Sequence, residues 1–191
     1  RLDLANPVGV ILIKSALPYR ESNRFHRWSR ALSEQDQSWR GKVGRMSDEE
    51  LEEFLATDAI CRVACLDETG WPYVVPVWFQ YADGGYYLIA REKSDWATMM
   101  QHDGRVSLTI DETGSQRKVQ VKGEATILET PNVGGKWVPI AEEMSKRYLG
   151  PNGPKYLEPT LSAPRWLIFV RPIETKTWQG VDWAKKYKSG S

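Results

Sequence analysis

Four consecutive residues, Arg91-Glu92-Lys93-Ser94, carry the most usable chemistry in this chain. Two cations and a hydroxyl stand just before Trp96, Ala97, Met99 and Met100, which form a helical apolar stripe. Ser94 occupies the place of a helix N-cap. Positive side chains, a hydroxyl and the free N–H groups of a first helical turn are what a phosphate needs. Taken alone, the same residues also read as a solvated, charged turn. No Gly-x-Gly-x-x-Gly loop, nucleophile triad or paired-carboxylate pattern is present, so the side chains by themselves name no reaction.

The soft ligands add little. Cys61 and Cys65 fall four apart in one apolar run, about 13 Å apart if that run is a strand, too far for a disulfide. They are expected to be buried thiols in a reducing cytoplasm. His26 and His102 have no cysteine at metal-ligand spacing, so no metal site is expected. Tyr73, Arg147 and Tyr148 are candidate substrate contacts that read equally well as surface or core residues. Nine tryptophans are many for 191 residues. The late ones, Trp137, Trp166, Trp178 and Trp183, can cover a flat ligand or simply pack.

The net charge of +1 gives no reason to expect nucleic acid or membrane as partner. No apolar run reaches the roughly 18 residues of a transmembrane helix, and Val8 to Ile13 is too short for a signal-peptide core. The first 45 residues carry nine Lys or Arg against four Asp or Glu, which leaves the remainder net negative. Residues 1–45 therefore read as a basic arm or extension. Met46 followed by Ser47-Asp48-Glu49-Glu50 resembles a natural beginning, and one compact domain is expected over 46–183. Residues 184–191 are expected to form a flexible tail.

The elements that must position Arg91 to Ser94 follow from periodicity and turns. Ser47 to Ala56 is a helix with a capping box, Ser47 and Glu50. Strands are expected over Ala59–Leu66, Tyr73–Tyr81 and Tyr86–Ala90, joined by the tight turns Asp67-Glu68-Thr69-Gly70 and Asp83-Gly84-Gly85. A helix over Lys93–His102 follows, then strands over Arg105–Ile110 and Lys118–Leu128. Gly123 inside the latter marks a bulge or a close backbone approach. A helix over Ala141–Leu149, an irregular proline-rich loop over 150–164 and a strand over Arg165–Arg171 complete the domain. The order predicts a mainly β fold, a six-stranded antiparallel barrel with short helices at its corners.

Several segments in that order resemble the pyridoxamine-phosphate-oxidase-like family of FMN-binding split β-barrels. They are the turn from Cys65 to Pro72, Val75-Pro76-Val77-Trp78-Phe79, the strand from Gly85 to Arg91, the strand from Arg105 to Ile110, and Val119-Gln120-Val121-Lys122-Gly123. The resemblance runs from about Met46 to Glu129, and more loosely to Trp178. It implies a homodimer with two cofactor sites at the subunit interface, and an FMN-dependent oxidoreductase acting on a small molecule. The flavin ring would lie on Pro76, Val77, Trp78 and Phe79. The phosphate would lie at Ala90 to Ser94, with Arg91, Lys93 and Ser94 as its ligands. Gln120 and Lys122 would sit on a strand that can approach the cofactor.

Two positions depart from the family pattern. Trp96 replaces a frequent phosphate lysine, and Gln120 replaces an arginine. A deazaflavin coenzyme, haem, or a non-catalytic binding module stay open beside FMN. Oxidation of pyridoxamine phosphate itself is not expected, because the second and fifth strands carry few Arg or Lys for a second phosphate.

Overall fold

A computed structural model describes residues 40–182 and Tyr187. Most of the basic arm and most of the expected tail lie outside these residues. Within them, Arg40 to Arg45 lie on the domain: Gly44 exchanges backbone hydrogen bonds with Gln179, and Val181 N donates to Arg40 O.

The chain folds as α1 (Asp48–Leu55), β1 (Ile60–Leu66), β2 (Pro72–Val77), β3 (Gln80–Ala82), β4 (Gly85–Arg91), α2 (Asp95–His102), β5 (Arg105–Asp111), β6 (Lys118–Asn132), α3 (Trp137–Leu149), α4 (Gly153–Leu157) and β7 (Arg165–Trp178). All strand pairs are antiparallel, in the order β2-β1-β5-β6-β7-β4-β3. α1 opens on the expected capping box, with Glu50 N donating to Ser47 Oγ and Ser47 N donating to the Glu50 carboxylate.

The expected strand over Tyr73–Tyr81 is broken at Trp78-Phe79, which raises the count from six strands to seven. The sheet order gives the reason. β2 and β3 are the two outermost strands, yet only two residues join them. Three virtual bonds span at most about 11 Å, so the two edges must approach one another there. The sheet is therefore rolled into a barrel that stays split between β2 and β3.

Alternation sets the interior. Cys61, Val63 and Cys65 of β1, Val106, Leu108 and Ile110 of β5, and their counterparts on β4, β6 and β7 point inward and are buried. Cys61 and Cys65 are free thiols, as expected, and burial pushes Cys61 up to about 12. β7 differs, because Trp166, Leu167 and Ile168 are buried in succession. A strand covered on both faces reads as a continuous apolar run. The second cover is a smaller cluster of Trp137, Ala141 and Leu157 from α3 and α4 over Leu167. The expected irregular loop over 150–164 contains α4 and two 3-10 turns.

Gly123 sits where the β6–β7 register shifts: Lys122 pairs with Glu174 but Gly123 with Pro172, leaving Ile173 unpaired. A Cβ on Gly123 would stand 2.7 Å from Val170 Cγ1 and 2.9 Å from Arg171 O. Gly123→Ala is expected to destabilise the fold by about 1–3 kcal/mol in urea unfolding. Unchanged stability would contradict this close approach.

Candidate functional site

The break at Trp78-Phe79 also builds the site. The Trp78 ring turns outward and stacks on Tyr148 of α3, with centroids 4.8 Å apart and planes 4° from parallel. The Phe79 ring turns inward and is fully buried. Tyr148 Oη holds both flanks of the corner, donating to Ala59 O at 3.0 Å and accepting from Phe79 N at 3.4 Å. Burial pushes the Tyr148 hydroxyl above its ordinary value, so it stays protonated and able to donate. Arg147, the residue before it, lies over the Phe79 ring at 4.9 Å and donates to Leu55 O at 3.2 Å. Arg147 and Tyr148 thus brace the barrel seam, while Arg147 Nε and Nη2 are buried without a hydrogen-bond partner among the described residues.

Between this corner, the outer face of β4 and β7, and the cover of α3 and α4 lies a cavity of about 190 Å³. Val77, Trp78 and Ile89 form one wall, and Trp137, Ala141 and Met144 of α3 form another. α4 reaches α3 closely enough that a Cβ on Gly153 would stand 2.5 Å from Ser145 O. That contact sets Tyr156 at the rim, where its ring meets Trp78 with centroids 5.5 Å apart.

The polar end is cationic. Arg91 of β4 and Arg165 of β7 are register partners, and both line the cavity. Their backbones are fixed by two further bonds across the same strands: Glu92 N donates to Pro164 O at 3.2 Å, and Trp166 Nε1 donates to Glu92 O at 3.0 Å. Burial and the neighbouring Arg91 charge together hold Arg165 below the usual arginine value. Among the described residues, no carboxylate, histidine or cysteine lines the cavity. The hydroxyls of Ser145 and Thr160 already donate to Glu142 O and Leu157 O.

Of the residues expected from sequence, the structure brings Val77, Trp78 and Arg91 together. Pro76 is exposed on β2 opposite Arg62. Phe79 is in the barrel core and offers no outer wall. Lys93 is exposed and does not line the cavity, and neither does Ser94. Ser94 has the N-cap place of α2, but its side chain makes no capping bond. Gln120 and Lys122 line a separate cleft with Ser107, Glu174 and Lys176, where Lys122 pairs with Glu174 at 3.3 Å. Trp96 is buried in the core. Trp137 is buried and lines the cavity, Trp166 is buried in the barrel core, and Trp183 lies outside the described residues. His102 joins no cluster of metal-binding side chains among the described residues.

The family model for pyridoxamine 5'-phosphate oxidase matches residues 47–179. The chain belongs to this family. No curated protein sequence matches it. Among solved structures, a FAD-binding protein from Mesorhizobium loti is 20% identical, with a TM-score of 0.53 over 74% of this chain and 98% of its own. An F420 reductase is 21% identical, with a TM-score of 0.53 over 65% of this chain and 94% of its own. The heme storage protein HutZ from Vibrio cholerae is 16% identical, with a TM-score of 0.55 over 69% of this chain and 94% of its own. The split-barrel fold of the pyridoxamine 5'-phosphate oxidase family is therefore shared by proteins named for three different ligands.

Arg165, Tyr156 and Met144 went unread in the sequence. Arg165 is the second half of a pair that exists only through the β4–β7 register, seventy-odd residues of chain apart from Arg91. Removing the Tyr148 hydroxyl tests the corner. Tyr148→Phe leaves Phe79 N and Ala59 O without their partner and is expected to lose about 1–3 kcal/mol in denaturant unfolding. Tyr148→Ala also removes the stack under Trp78 and should lose about 3–5 kcal/mol. Equal stability of the two variants would contradict the stacking contribution.

Proposed function

We propose that this family member is a flavin-dependent oxidoreductase that holds FMN at a homodimer interface and acts on a small molecule. The observation that carries this is the cavity itself, an aromatic and aliphatic wall at Val77 and Trp78 ending in the cations Arg91 and Arg165. An isoalloxazine ring asks for the first and a phosphate for the second. The flavin supplies the electron-transfer chemistry when bound, and the protein supplies position, charge and exclusion of water. That no carboxylate, histidine or cysteine among the described residues lines the cavity accords with that division of labour.

A second subunit is part of the proposal. About 190 Å³ falls short of the roughly 300–1,000 Å³ of ordinary ligand pockets, so one chain does not enclose a whole flavin. Trp71, Val74 and Ile173 are exposed apolar residues on and beside the sheet, apt for burial against a partner. Gln120 and Lys122 can reach a cofactor at Arg91 only if the partner subunit supplies them, because in one chain they line another cleft. The free, buried cysteines fit a reducing compartment, and we place the enzyme in the cytoplasm. No helix among the described residues is long and apolar enough to cross a membrane.

A deazaflavin coenzyme is the second reading, supported by the fold shared with an F420 reductase. An absorption spectrum of the purified protein, before and after FMN is added and the excess removed, tests the proposal. Retained flavin bands are expected, with retention weakened at least tenfold in Arg91→Ala. Light scattering should report a dimer. A colourless monomer that retains neither FMN nor a deazaflavin, or a protein that shows only a haem band, would overturn the reading.

A further inference from the structure

We propose that Arg91 and Arg165 form a two-arginine clamp for the phosphate or other oxyanion of the bound ligand, seated on the β4–β7 strand pair rather than at the start of α2. The clamp concerns the same cavity as the flavin reading, but it stands on its own observations.

Residues directly opposite on an antiparallel pair share a face, with Cβ atoms about 4.5–5.5 Å apart, and like charges placed there repel. Arg91 and Arg165 are such a pair. Several other cations on or beside the sheet are matched by acids, although among the described residues Lys118 of β6 is not. Arg62 pairs with Asp111, Arg171 with Glu124 and Lys122 with Glu174. Arg117 pairs with Glu112 and Arg105 with Asp103. Among the described residues, no carboxylate pairs with Arg91 or Arg165. Two guanidiniums on one sheet face beside the cavity, Arg91 exposed and Arg165 half-buried, offer paired N–H forks to one oxyanion, which would relieve their repulsion. The depressed Arg165 value has the same origin, burial first and the Arg91 charge second, and an anion between them reverses the second cause.

The rest of the site agrees. Tyr156, an exposed residue, stands at the rim and lines the same cavity as Arg165. Thr160 is not a donor to the anion, because its proton is used on Leu157 O. At the start of α2, Lys93 and Ser94 stand outside the cavity that Arg91 and Arg165 line.

Thermal unfolding of the full chain with inorganic phosphate, against sodium chloride at equal ionic strength, tests the clamp. Phosphate is expected to raise the midpoint of the native protein beyond the chloride control. Arg165→Gln and Arg91→Gln should each lose that rise, while Arg105→Gln, whose arginine is paired with Asp103, should keep it. A native protein with no phosphate-specific rise, or a rise that survives in both clamp variants, overturns the proposal. Titrations with FMN and riboflavin then identify the source of the anion. If it is the cofactor's phosphate, the native protein prefers FMN by roughly tenfold or more, and Arg165→Gln removes the preference while leaving riboflavin binding intact. If the variants lose the phosphate rise but keep the FMN preference, the clamp still stands and holds the substrate's anionic group. A phosphate rise in a protein that binds no flavin keeps the clamp and removes the flavin reading.

Discussion

Trp78 and Phe79 alone carry the chain from one edge of the seven-stranded sheet to the other. Everything near the site depends on how that step is held. A split barrel has no ladder of hydrogen bonds across its seam, so side chains must close it. Phe79 inserts into the core while Trp78 turns out, and the C-terminal turn of α3 grips both through Tyr148 and Arg147. Once that turn is fixed, the rest of α3 must lie over β4 and β7, with the fully buried Trp137 as its anchor. The cavity is the space this constraint leaves between helix and sheet. A ring bound there would touch the same tryptophan that closes the seam, so ligand binding and barrel closure share one residue.

Charge is distributed with equal economy. Five sheet or turn cations are matched by acids within hydrogen-bonding or ion-pairing distance, and such exposed pairs contribute little to stability. The unmatched pair sits where a ligand can reach it. An unopposed pair of like charges costs stability in the free protein and becomes favourable only when an anion arrives, which is how a binding site differs from a structural ion pair. The shared fold of a FAD-binding protein, an F420 reductase and a heme storage protein fits this picture. The barrel supplies a surface, and a few outward side chains decide what it holds.

Much of the fold was legible because its signals are local. The capping box at Ser47, the turn at Asp83-Gly84 and the alternation of Val106, Leu108 and Ile110 each specify their element without help from distant residues. Gly123 announced a close approach that the β6–β7 bulge realises. The site was legible only in part. Val77, Trp78 and Arg91, which line one cavity, were singled out because their segments resemble a known family. Arg165 was not, since its meaning comes from a register partner distant in sequence. The break at Trp78-Phe79 was hidden because a run of Val, Trp, Phe and Tyr looks like one strand until the sheet order requires a corner. Lys93 and Ser94, singled out by type, do not line this cavity. The start of α2 and the cavity are different places, and short-range sequence cannot separate them.

The central claim is that an outward cavity over β4 and β7, closed at one end by Trp78 and charged at the other by Arg91 and Arg165, is where the ligand binds. A crystal structure of the protein grown with FMN tests it most directly. The account predicts the ring against Val77 and Trp78, the phosphate within hydrogen-bonding distance of both guanidiniums, and Gln120 or Lys122 of a second subunit closing the site. A flavin whose phosphate lies at Ser94, with Arg165 untouched, would contradict it.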